Sequence, residues 1–142
     1  MKMDHVAIVT KDAETMKDFY VECFGAKRVK KWGDGKVCLY FIEFDNGVQI
    51  ELEQREDPAR YDIDRENSFG IAHLCFQVDT KAELEKITAE LAAKGIPMRS
   101  GPTAYGDDFY ESSFWDPDGN VVEISVDTDY LERCTKAGIK AE

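Results

Sequence analysis

Asp116-Pro117-Asp118-Gly119-Asn120-Val121-Val122-Glu123-Ile124-Ser125 reads as a tight turn running into a strand. Proline presets φ for a turn, glycine supplies a positive φ, and Asp and Asn side chains bond their own backbone. From Val121 to Val126 the chain is β-branched and apolar except at Glu123 and Ser125. Side chains alternate across a strand, so Val122, Ile124 and Val126 share one face, and Val121, Glu123 and Ser125 share the other. Glu123 therefore stands mid-strand among residues suited to burial. Two readings are open. Either this face is wet, as on many antiparallel sheets, or the carboxylate meets a cation, a metal or a proton.

The same pattern recurs upstream. Asp45-Asn46-Gly47 is a hairpin signal, and Val48 to Glu53 returns from it with Val48, Ile50 and Leu52 opposite Gln49, Glu51 and Glu53. Each of these glutamate strands is preceded by a matching series. In the first half, His5 to Val9 is a strand with Val6 and Ile8 on one face and His5 on the other. A helix follows, with Met16, Phe19, Tyr20, Cys23 and Phe24 on one stripe, and Gly25 ends it. Lys27 to Trp32 and Val37 to Phe44 are strands around a Gly33-Asp34-Gly35 turn. In the second half, Ile71 to Asp79 is a strand carrying His73, Cys75 and Gln77 opposite Ala72, Leu74, Phe76 and Val78. The capping box Thr80-Lys81-Ala82-Glu83 opens a helix with Leu84, Ile87 and Leu91 buried, closed by Gly95 and Pro97. Ser100 to Asp108 reads as a loop and Phe109 to Trp115 as a strand. Residues 54–69 are charged and aperiodic, and connect the halves. Asp127 to Lys136 is expected to form a short C-terminal helix.

Composition narrows the class. The chain has 142 residues, enough for one domain with a core, and its 43% hydrophobic content excludes a disordered polymer. With 18 basic against 29 acidic residues, the net charge of −11 disfavours nucleic acid and anionic membranes as partners. No apolar run is long enough to span a membrane, and the N-terminus lacks a secretory core. Cys23, Cys38, Cys75 and Cys134 form no CxxC pair and read as reduced thiols in a cytoplasmic protein.

The internal duplication concentrates the chemistry. The first strand of each half offers a histidine, His5 or His73, and the last offers a glutamate, Glu51 or Glu123. In every case the residue lies opposite the apolar row that must face the helices. A lone histidine on a strand is ordinarily a structural residue, and Glu51 beside Glu53 would suit a wet face. Yet the chain has two histidines in all, and each holds the equivalent place in its repeat. Two imidazoles and two carboxylates on one sheet surface suit a borderline divalent cation. Cys75, on the face of His73, is a further candidate ligand, with packing its simpler role.

Several stretches carry a family resemblance: Met3-Asp4-His5-Val6-Ala7-Ile8, Phe19-Tyr20 with Phe24-Gly25, Gly47-Val48-Gln49-Ile50-Glu51-Leu52, Ile71-Ala72-His73-Leu74, and Asp116 to Asn120 with Glu123. Together they span most of the chain to Val126, which resembles the vicinal oxygen chelate superfamily of glyoxalase I, bleomycin-resistance proteins and dioxygenases. The resemblance implies an α+β fold of two tandem βαβββ modules, about 1–53 and 70–126, forming a cupped mixed sheet around a metal site. Residues 1–126 would be a single glyoxalase-like domain and 127–142 a C-terminal helical extension. It further implies a homodimer and the ligand set His5, Glu51, His73 and Glu123 around one divalent ion (Ni, Co, Zn, Mn or Fe). Tyr105 to Phe109 would stand at the pocket rim.

The activity implied is that of a lyase or isomerase of the glyoxalase I type on a small hemithioacetal or other α-oxygenated substrate, through a metal-stabilised enediolate. Glu123 is the first candidate for the base and Glu51 the second. Two departures bear on the thiol. Glutathione-using members place Arg four residues past the first His and Asn four residues past the first Glu, where this chain has Val9 and Arg55. Alternatives are a thiol transferase, epimerase or dioxygenase using His5, His73 and Glu123, or a non-catalytic protein binding a drug or metabolite.

Overall fold

The computed structural model describes residues 3–33, 37–55, 69–105 and 109–127. The chain divides into two compact units, Met1–Ser68 with Asp116–Gly119, and Phe69–Trp115 with Asn120–Glu142. The first contains β1 (His5–Thr10), α1 (Ala13–Phe24), β2 (Arg28–Gly33), β3 (Val37–Glu43) and β4 (Gln49–Arg55). The second contains β5 (Leu74–Gln77), α2 (Lys81–Ala93), β6 (Met98–Tyr105), β7 (Phe109–Trp115) and β8 (Val121–Asp127). The fold is thus α+β, built of two βαβββ modules. The expected helix over 127–136 falls outside the described residues except for Asp127, which ends β8. Among the described residues no helix is long and apolar enough to cross a membrane.

In the first unit the strand order is β1-β4-β3-β2, with β1 parallel to β4 and the other pairs antiparallel. A first strand returning beside the last must run parallel, because the helix supplies the crossover. Asp12 caps α1, its Oδ1 accepting the Glu14 and Thr15 amides at 3.0 and 3.1 Å. Met16, Phe19 and Tyr20 of α1 are buried, as are Tyr40, Ile42, Ile50 and Leu52 of the sheet, and α1 packs on β3 and β4. The Tyr20 hydroxyl donates to Asp116 Oδ2 at 3.2 Å, and the Lys11 amide donates to Asp118 Oδ2 at 3.2 Å. Burial and the two nearby aspartates push the Tyr20 phenol far up, so it remains a donor.

The second unit repeats the order as β5-β8-β7-β6, with β5 parallel to β8. Thr80 caps α2 by accepting the Glu83 amide at 3.1 Å, while Glu83 reaches back to the Asp79 amide at 3.3 Å, one residue earlier than an ideal capping box. At the other end the Gly95 amide bonds the Ala92 carbonyl and the Ile96 amide bonds that of Leu91, a Schellman closure. Leu84 and Leu91 are buried with Phe114, Val122, Ile124 and Val126, each worth about 1.5–3 kcal/mol on removal from water.

Two local expectations need correction. The stretch expected to be a loop from Ser100 is largely strand: β6 pairs antiparallel with β7, with register shifts between Met98 and Ser100 and between Ser100 and Thr103. Gly101-Pro102 reads as loop punctuation in sequence, but an edge strand accepts proline because its outer N–H groups have no partner strand. β5 is shorter than expected. It spans Leu74–Gln77 instead of Ile71 to Asp79, leaving His73 just outside the regular strand.

Candidate functional site

Parallel pairing decides how each histidine meets its glutamate. In the first unit His5 stands opposite Gln49 on β4, and Glu51 is two residues further along the same face. In the second, Leu74 stands opposite Val122 and Cys75 opposite Glu123. Continued one residue beyond β5, that register would set His73 level with Val121, again with the glutamate two residues on. The offset would then be the same in both modules.

The side chains follow this register. His5 Nε2 lies 3.1 Å from Glu51 Oε2, and His73 Nε2 lies 3.9 Å from Glu123 Oε2. The first pair is tightly held: His5 Nδ1 is 2.9 Å from Asp4 Oδ2, and the ring packs edge-on against Phe41 with centroids 5.6 Å apart. A carboxylate on Nδ1 fixes the ring so that Nε2 faces Glu51. The hydrogen bond that His5 donates to Asp4 and the charge of Glu51 outweigh partial desolvation and raise the His5 pKa.

The second pair is more sheltered at its acid. Glu123 is only 8% exposed and Ser125 4%, so the polar face of β8 is covered rather than wet. Around them on that face lie Cys75, whose Sγ is 3.1 Å from Ser125 Oγ, and Glu111 on β7, opposite Ser125. Burial pushes the Cys75 thiol up to about 11, and Glu123 and Glu111 add to the rise. The residue as a whole is exposed, and its sulfur contacts Ser125. Glu111 is a site residue that sequence reading missed. Burial and the adjacent Glu123 raise its carboxyl pKa, against the pull of His73 and Arg99. The alternation Glu111, Ser113 against Glu123, Ser125 was the available signal, since both glutamates then share a face.

Each unit thus brings its own predicted histidine and glutamate together. Among the described residues no group of three or more His, Cys, Asp or Glu is set to hold a metal ion. The donor separation in the first unit nevertheless suits one: two ligands about 2.1 Å from an ion and at right angles are about 3 Å apart. The His73–Glu123 pair is wider than that. Tyr105, expected at a pocket rim, is exposed at the end of β6, while residues 106–108 of that stretch lie outside the described set.

Residues 2–124 match the family model for the Glyoxalase/Bleomycin resistance protein/Dioxygenase superfamily. The chain belongs to this superfamily. A lactoylglutathione lyase of Schizosaccharomyces pombe is 29% identical over 119 residues, covering 69% of this chain and 38% of that protein. The biphenyl-2,3-diol 1,2-dioxygenase 2 of Rhodococcus globerulus is 31% identical over 138 residues, covering 89% of this chain and 63% of the dioxygenase. The chain therefore spans well under half of the lyase and less than two thirds of the dioxygenase. A genomically encoded fosfomycin resistance protein of Listeria monocytogenes, crystallised with Mn(II) and sulfate, superposes with a TM-score of 0.67 at 20% identity, covering 93% of this chain and 96% of that one. The superfamily thus spans lyase, dioxygenase and antibiotic-resistance proteins on one glyoxalase-type fold.

Within the glyoxalase fold the two positions that depart from the glutathione-using pattern are both accounted for locally. Val9 is 48% exposed on the His5 face of β1. Arg55 is engaged by its own strand: its Nε lies 2.8 Å from Glu53 Oε1 and its Nη2 3.1 Å from Glu53 Oε2. That two-pronged pair lowers the Glu53 pKa and occupies the guanidinium.

Proposed function

We propose that this protein is a metal-dependent lyase or isomerase of the glyoxalase I type, acting on a small hemithioacetal or related α-oxygenated compound. The observation that supports it is the repeated His–Glu pair, His5 beside Glu51 in one module and His73 beside Glu123 in the other. On this reading His5, Glu51, His73 and Glu123 supply one set of four donors to a divalent ion, Ni, Co, Zn, Mn or Fe, a set whose mixed imidazole and carboxylate character suits such ions. When bound, the ion would polarise two neighbouring oxygens of the substrate and stabilise the negative charge left by proton removal. Asp4 holds the His5 ring with Nε2 turned to the site. Glu123 removes the proton from the carbon beside the carbonyl and returns it to the adjacent carbon, with Glu51 the second candidate for that role. The thiol is one other than glutathione, because Val9 offers no cation and Arg55 is already paired. The S. pombe lyase matches this reading in name, and the Mn(II) in the Listeria structure supports the choice of a divalent ion.

A second reading, a dioxygenase using His5, His73 and Glu123, is favoured by the 31% identity with the Rhodococcus enzyme. Ring cleavage in this superfamily ordinarily employs a further histidine near the metal, and the chain has two histidines in all. The lyase reading is therefore preferred.

Metal analysis of purified protein, combined with an isomerase assay on methylglyoxal and a panel of thiols, tests the proposal. One divalent ion per chain is expected, lost in His73→Ala while the circular dichroism spectrum is retained. Unchanged metal stoichiometry in that variant would refute the ligand set. The glutathione adduct should turn over at least tenfold less efficiently than the best thiol adduct, and saturation by glutathione adduct at micromolar concentration would show that Val9 and Arg55 were misread.

A further inference from the structure

A cleft of ≈ 450 Å³ at the β2 end of the first sheet is lined on the His5 face by Lys30, Phe41, Glu43 and Gln49, with Val29 reaching it around the β2 edge. The register shows how it adjoins the His5–Glu51 pair. Lys30 stands opposite Phe41 on β3, Phe41 opposite Glu51 on β4, and Gln49 opposite His5 on β1. Lys30, Phe41 and Glu51 thus form one row across three strands, and Phe41, touching the His5 ring, is the shared wall of cleft and pair. Two strand spacings put the Lys30 and Glu51 backbones about 10 Å apart.

Alternation gives the two adjacent lysines of β2 different fates. Lys31 points to the helix side, its Nζ 5.1 Å from the Tyr40 ring centroid and 3.8 Å from Glu14 Oε2. Lys30 points to the cleft side, and no hydrogen bond or ion pair of its ammonium is found among the described residues. Opposite it in the cleft, the Gln49 amide donates to Glu43 Oε2 at 3.2 Å, which fixes both side chains in the wall. In a chain of net charge −11 the overall field opposes anions, so an anionic ligand here would depend on a local cation such as Lys30.

We infer that this cleft holds the arm of the substrate remote from its two vicinal oxygens, and that the arm is a short one ending in a carboxylate that pairs with Lys30. Phe41 packs against the carbons between, and Glu43 with Gln49 receives a hydroxyl or amine on the same arm. The assignment deepens the proposed function and rests on its placing the reacting oxygens at the His5–Glu51 side. It makes the preferred compound a small α-oxygenated acid with a second, terminal carboxylate, or the hemithioacetal of a 2-oxoaldehyde that carries one, instead of one ending in a bare methyl group.

Malate and lactate isolate the arm, because both carry an α-hydroxycarboxylate and only malate adds a second carboxylate. Calorimetric titration of the purified protein with added Mn(II) should show malate binding at least tenfold tighter than lactate. Lys30→Met should abolish that preference without changing lactate affinity, and Lys30→Arg should restore most of it. In ¹H–¹⁵N spectra malate should shift the amide signals of Phe41 and Gln49. Equal binding of the two acids, no binding of malate, or a preference that survives Lys30→Met would overturn the assignment. The two readings fail separately: lack of isomerase activity with every thiol adduct removes the reaction class, whereas the malate-to-lactate ratio, measured with added Mn(II) so that a missing ion cannot abolish binding, reports on the cleft.

Discussion

Gly101 shows how much one residue constrains the second module. Its φ is +96°, and a Cβ built there would lie 2.5 Å from the Glu111 carbonyl oxygen and 2.7 Å from Ser112 Cα, both backbone atoms that cannot move aside cheaply. Gly101→Ala therefore combines left-handed strain with overpacking, and should cost about 2–4 kcal/mol. Urea denaturation of the variant against wild type checks this, and a loss below 0.5 kcal/mol would mean that β6 shifts freely. Gly101 lies in the stretch read from sequence as a loop, and only the backbone of β7 lying against it shows that it serves close strand approach.

At the scale of elements, α1 depends on a charge. Asp12 accepts two backbone amides and the Thr15 hydroxyl, whose Oγ1 lies 2.7 Å from Oδ2, and these bonds lower its pKa in the folded protein, that of Thr15 foremost. A carboxyl whose folded pKa is depressed stabilises the fold above its unfolded pKa, near 3.9, and loses that contribution as pH falls through the folded value. The melting temperature of wild type should thus exceed that of Asp12→Asn at neutral pH, and the difference should shrink as pH drops below about 4. A difference independent of pH from 7 to 3 would show that the charge contributes nothing. The helices themselves were legible in sequence because their caps and apolar stripes are local. β6 was not, since an edge strand with glycine and proline is held by its neighbour alone.

For the whole molecule, a homodimer is the expected assembly. Among the described residues the two outer strands of each sheet have one edge with no partner strand. β6 is blunted by Pro102 and β2 by Lys30 and Lys31, whereas β1 and β5 carry neither proline nor lysine. Trp32, at 61% exposure, and Val9 add apolar surface beside such edges. A two-fold pairing would cover edges with a self-complementary surface. Sedimentation at micromolar concentration should give twice the 16.1 kDa chain mass, and a species at the single-chain mass would refute it. The duplication, the helix caps, the strand parity and the four candidate ligands follow from the sequence by itself, because each depends on residues close together in the chain or on simple repetition. The tertiary structure alone decided that His5 lies 3.1 Å from Glu51, that Glu111 sits beside Glu123, and that Lys30 and Lys31 part company. Those facts depend on which strand lies next to which and in what register, and no local pattern of residues specifies that.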